Sequence, residues 1–89
     1  MKIDVYDTYA LIPNGTQFHF DVLVPEGADG KAHQYATDWL KDIGICDADI
    51  TLEQCRFCHS ESATPEIERQ LALNGYFILQ MEGCPSPIF

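Results

Sequence analysis

Positive charge is scarce in this sequence, with five Lys and Arg against 14 Asp and Glu among 89 residues and a formal net charge of −9. The five, Lys2, Lys31, Lys41, Arg56 and Arg69, are scattered along the chain. No basic stripe is available to neutralise phosphates, which argues against nucleic acid and anionic membrane surfaces as partners. Long hydrophobic runs are also missing. "MKIDVYDTY" enters a charged, alternating pattern at once, with no apolar segment for export or for a membrane span, so a cytoplasmic location is expected. In that reducing compartment Cys46, Cys55, Cys58 and Cys84 are expected as thiols or metal ligands rather than disulfides. There is no P-loop, dinucleotide fingerprint, nucleophile elbow or HExxH, so the catalytic classes that those motifs mark are not on offer.

What is present is enough apolar material for one compact core, since 46% of the residues are hydrophobic and 11% aromatic. No repeat, linker or low-complexity tract interrupts the chain. It reads as a single domain over residues 1–89, with a core of about 1–83 and an irregular tail at 84–89.

Ile3 and Val5 alternate with Lys2, Asp4 and Tyr6, which predicts a strand. "PNGT" supplies a Pro and an Asn-Gly pair, a strong turn signal, and "FHFDVLVP" resumes the alternation as the second arm of a hairpin. In that arm Phe18, Phe20, Val22 and Val24 share one face and His19, Asp21 and Leu23 the other. Ala32, Tyr35, Ala36, Trp39, Leu40 and Ile43 then form a helical stripe, with Asp29 expected as N-cap and Gly44 at the end. A short, weakly patterned strand is expected around 49–55. Thr64, Pro65 and Asn74-Gly75 delimit a second helix, and the apolar run Tyr76 to Met81 predicts a last, central strand. The order ββαβαβ implies an α+β fold, one small sheet made of the N-terminal hairpin and two later strands, with both helices packed on one face. Right-handed crossovers through the helices would make some strands parallel.

"CRFCHSE", Cys55 to Glu61, is read as a turn between the third strand and the second helix, and it admits four chemical readings. Cys-x-x-Cys-His is the haem-attachment pattern, with His59 as proximal and Met81 as distal ligand, but such chains are exported and enclose the macrocycle in helix. A zinc site needs four N or S ligands. If the third and fourth strands ran side by side in parallel, Cys84 would join Cys55, Cys58 and His59 in a Cys3His set. A redox pair would want the motif at a helix start, and the helix signals begin only at Thr64. In the fourth reading the cysteines are ordinary packing residues, as free Cys often is.

Elsewhere, His19 and Asp21 share a strand face that Asp4 and Tyr6 are expected to oppose, which would offer a His-carboxylate pair for general-base chemistry on an otherwise solvated face. His33 is read as a surface residue and Trp39 as a core anchor. Asp47 and Asp49 in "CDADI" lack the remaining positions of a calcium loop.

"VYDTY" (Val5 to Tyr9), "FHFDVLVP" (Phe18 to Pro25), "QCRFCHSE" (Gln54 to Glu61) and "GYFILQMEGCP" (Gly75 to Pro85), in this order, resemble a small bacterial family catalogued as domain of unknown function 2024. The resemblance covers nearly the whole chain and implies one short α+β domain with no assigned activity. Two functional classes follow. The first is a cytoplasmic binding or accessory module, with a metal, zinc by preference, at Cys55, Cys58, His59 and Cys84 and a protein or small-molecule partner. The second is a thiol-based redox enzyme or switch using Cys55 and Cys58. Free sheet edges and the apolar end Ile88-Phe89 add homodimerisation to the expectations.

Overall fold

The structure is a computed structural model that describes residues 1–13, 15–46 and 50–81. Among the described residues four strands form one sheet: β1 (Lys2–Leu11), β2 (Gln17–Pro25), β3 (Thr51–Ser62) and β4 (Phe77–Gln80). Helix α1 (Ala32–Asp42) follows β2 through a short 3-10 turn at Asp29–Lys31, and α2 (Pro65–Asn74) joins β3 to β4. The α+β class and the order ββαβαβ are as the sequence predicts.

The hairpin forms where it is expected. Gly15 takes φ +90°, a left-handed conformation that glycine adopts without steric cost, and its N–H donates to Ile12 O at 2.9 Å. The register then pairs Ile3 with Pro25, Val5 with Leu23, Asp7 with Asp21 and Tyr9 with His19. Directly paired residues share a face, so the sheet has an even-numbered face containing Tyr6, Phe18, Phe20, Val22 and Val24 and an odd-numbered face containing Ile3, Val5, Asp7, His19, Asp21 and Leu23.

Each helix covers a different face, which corrects the expectation of two helices on one side. Ala32, Ala36 and Leu40 of α1 are buried among Tyr6, Ala10, Phe18, Phe20, Val22 and Val24, with Trp39 against Phe20 at a ring separation of 4.7 Å. Leu71 of α2 is buried instead with Ile3, Val5 and Leu23, flanked by Ala63, Ile67 and Phe77. The cause is the strand order β3-β1-β2-β4, which puts β3 and β4 at opposite edges. The chain leaving Ser62, paired with Lys2, must reach Phe77, paired with Leu23, and α2 makes that crossing over the odd face at the end where Ile3, Val5 and Leu23 lie.

Among the described residues all three strand pairs are antiparallel, and no neighbouring strands are parallel. The β2–α1–β3 crossover does bring two strands to run in the same direction, but β1 lies between them. β4 is a four-residue edge strand rather than a central one.

The ends of α2 match the sequence signals. Thr64 Oγ1 accepts from Ile67 N at 3.2 Å, Pro65 stands in the first turn, and Gly75 takes φ +85° at the C-cap. An added Cβ at Gly75 would come to 3.1 Å from the Tyr35 hydroxyl, a second reason for glycine there. At α1 the N-cap position is Lys31, without a side-chain cap, because the 3-10 turn intervenes between Asp29 and the helix. Gly44 ends that helix at φ +100°, as expected.

Candidate functional site

The cysteine segment is strand, not turn. β3 runs for 12 residues and includes all of Cys55 to Glu61. Its register against β1 slips twice, once where Val5 pairs with His59 and Tyr6 with Phe57, and again where Tyr9 pairs with Gln54 and Ala10 with Leu52. Cys58 and Glu53 are therefore extra residues of two β-bulges. These bulges break the period-2 pattern, which is why a strand this long reads from sequence as a short strand followed by a turn.

The register sorts the segment by face. Cys55 pairs with Thr8 and Phe57 with Tyr6 on the α1 side, whereas Arg56 pairs with Asp7 and His59 with Val5 on the odd face. Cys55 is half-buried with its Sγ 3.6 Å from Thr8 Oγ1. Burial pushes its thiol pKa up, against a smaller downward pull from the Thr8 hydrogen bond. Cys58 is exposed, with Sγ 3.3 Å from His59 Nδ1, while His59 Nε2 lies 2.8 Å from Glu61 Oε1. Cys46 is exposed and remote in sequence. Cys84, Asp47 and Asp49 lie outside the described residues. The juxtaposition imagined for Cys84, with the third and fourth strands as parallel neighbours, is not the one the sheet has.

The His-carboxylate pair exists, with a different carboxylate from the one expected. Asp4 and Tyr6 project from the α1 side of β1. Asp4 is buried there, accepting from Ser60 Oγ at 2.7 Å and from Gly27 N at 3.3 Å, so it ties β3 and the turn after β2 to the sheet. The residue beside His19 is Asp7. Its Oδ1 is 2.7 Å from His19 Nε2, and its Oδ2 accepts from Gln54 Nε2 at 3.1 Å. Tyr9 stacks on the imidazole at a ring separation of 4.3 Å and an interplanar angle of 5°. The side chains of His19 and Asp7 are 23% and 29% exposed, shielded enough to hold a fixed geometry and open enough to meet a ligand.

Asp21 faces Asp7 directly across the hairpin. Burial pushes its carboxyl pKa up and the Asp7 charge adds to this, while His19 and His59 pull it down and Glu61 raises it. The groups that influence Asp21 thus come from β1, β2 and β3. One ligating atom each from Asp7, His19 and Asp21 lie within 4.8 Å of one another. Beside them is a shallow hollow of about 490 Å³ lined by Asp7, Tyr9, Gln17, Glu53, Gln54 and Arg56.

This polar ground is the half of the odd face that α2 leaves open. Asp7 escaped the sequence reading because one strand alone does not fix the register, and a slip of one residue exchanges its two faces. The apolar Val5 and Leu23, together with a three-residue loop that ends on Gly15, were the signal that could have found it.

A search of curated proteins finds no match. Among solved structures, the chain is similar to the NMR structure of protein NE1680 from Nitrosomonas europaea, a structural genomics target. The two are 46% identical, with a TM-score of 0.76, over 94% of this chain and 99% of that one. Residues 1–81 match the family described as Domain of unknown function (DUF2024), and the chain belongs to that family.

Proposed function

We propose that the chain is a small binding module whose ligand occupies the half of the odd sheet face that α2 leaves open. One observation carries this reading. Three segments far apart in sequence, those of Asp7 and Tyr9, His19 and Asp21, and Arg56 and His59, meet on that one face in register. They belong to the same stretches that carry the family resemblance. A merely solvated face would not need Gln54 to orient Asp7 or Tyr9 to stack on His19. A crystallographic screen of small polar fragments tests the reading. Bound fragments should cluster between Tyr9 and His59. Clustering instead in the hollow between α1 and β3, lined by His33, Thr37, Lys41, Ile50 and Leu52, would overturn it.

A second reading, a thiol-based switch, draws on the contacts from Cys58 to His59 and from His59 to Glu61. An imidazole held by a carboxylate is a suitable base for a thiol. In this reading Cys58 is the reactive sulfur and Cys55, with its raised pKa, the slow one. Alkylation rates at neutral pH should rank Cys58 well above Cys55, and His59→Gln should slow Cys58 alone. Equal rates at both thiols would remove this reading. The sulfur-based metal set of Cys55, Cys58, His59 and Cys84 is a separate proposal that rests on the spacing of the motif, and the cobalt experiment below separates it from a carboxylate site.

A further inference from the structure

We infer that Asp7, His19 and Asp21 form a site for one divalent transition-metal ion, an inference that rests on reading the open half of the odd face as the binding surface. The geometry is favourable. The three ligating atoms lie within 4.8 Å of one another, a spread that small side-chain rotations can gather around an ion held at roughly 2.0–2.2 Å by nitrogen and oxygen ligands.

The electrostatics call for a cation. Like charges directly opposite each other destabilise an antiparallel pair, yet Asp7 and Asp21 are partners in register. Among the described residues, no hydrogen-bond donor or ion-pair partner serves the Asp21 carboxylate, whereas both oxygens of Asp7 are engaged. Arg56 is the one basic residue among the described residues that line the adjoining hollow. A divalent ion would balance two carboxylates.

The ligands are also held from behind. Gln54 fixes Asp7 through Oδ2, and Tyr9 fixes the plane of the His19 ring, the orienting contacts that metal ligands require. One imidazole with two carboxylates suits zinc, manganese, iron or cobalt in the divalent state, and it lacks the soft sulfur that monovalent copper prefers. The hollow beside Asp7 leaves room for water or a small ligand to complete the coordination.

Cobalt(II) binding to the full chain tests the inference, read by absorbance and calorimetry. One equivalent should bind with ligand-field bands and without the near-ultraviolet charge-transfer band that a thiolate ligand gives. Asp21→Asn and His19→Gln should each weaken binding by at least the roughly tenfold that loss of a ligand's orienting partner costs a metal site, with the fold checked by circular dichroism. Cys58→Ser should bind as the parent does. A thiolate band that disappears in Cys58→Ser would move the ion to the sulfur set and overturn the inference, as would failure of the folded chain to bind cobalt. If cobalt fails while fragments still cluster on this face, the metal inference falls and the binding surface stands; if the fragments cluster elsewhere as well, both fall.

Discussion

Asp21 is the residue on which stability and function diverge most plainly. Its folded pKa lies above the ordinary carboxylate value, because burial and Asp7 both disfavour the charge. The unfolded chain therefore ionises first as pH rises, and stability falls across the window between the unfolded and folded values. Asp21→Asn should remove that penalty, stabilising the protein at neutral pH by about 0.2–1 kcal/mol, the scale on which cross-strand side-chain pairs act. The gain should vanish once pH falls below the ordinary carboxylate range. Thermal unfolding of both proteins at pH 7 and at pH 3 checks this, and a variant less stable than its parent at pH 7 would show that Asp21 is held by attractions rather than repulsion. At this scale His19 and Asp21 were legible as a pair on one face. Asp7 was not, since cross-strand identity depends on a register that is a property of two segments. The cysteines were legible as a motif but not as geometry, because the bulge at Cys58 changes which neighbours share a face.

Among the elements, α2 was the most readable, since Thr64, Pro65 and Gly75 each act within a few residues of where they stand. Its destination was hidden. Nothing local to "PEIERQLALN" says which face it covers, and Leu71 finds Ile3, Val5 and Leu23 only because β3 and β4 end up at opposite edges. Leu71→Ala should cost about 2–5 kcal/mol, the usual range for a buried leucine, and should loosen the odd face first. Hydrogen exchange would then rise at Val5 and Leu23 before it rises at Phe20 and Val22. Equal loosening of both faces would mean that the two cores are not separately covered. β3 was the least readable element, because an edge strand with most of its side chains exposed needs no hydrophobic alternation and the bulges erase what little it has.

At the scale of the molecule, the two faces of one sheet have been given different tasks. The even face is mostly apolar, with the buried Asp4 and Thr8 as its polar members, and carries α1, which makes the larger core. The odd face is divided. α2 seals its apolar end, and the other end collects carboxylates, two imidazoles and Arg56 from three strands. The acidic composition, which in the sequence argues only against nucleic acid and anionic membranes as partners, acquires a local meaning at Asp7 and Asp21. The α+β class was legible because hairpin, helix and turn signals are local. The division of the odd face was not, because it arises from strand order.

The most direct test of this account is a two-dimensional amide NMR spectrum of the full chain titrated with zinc. The account predicts saturable shifts at residues 7–9, 19–21 and 54–61, with the amides of α1 unmoved. Shifts confined to α1 and residues 50–52, or a spectrum that zinc leaves unchanged, would contradict it.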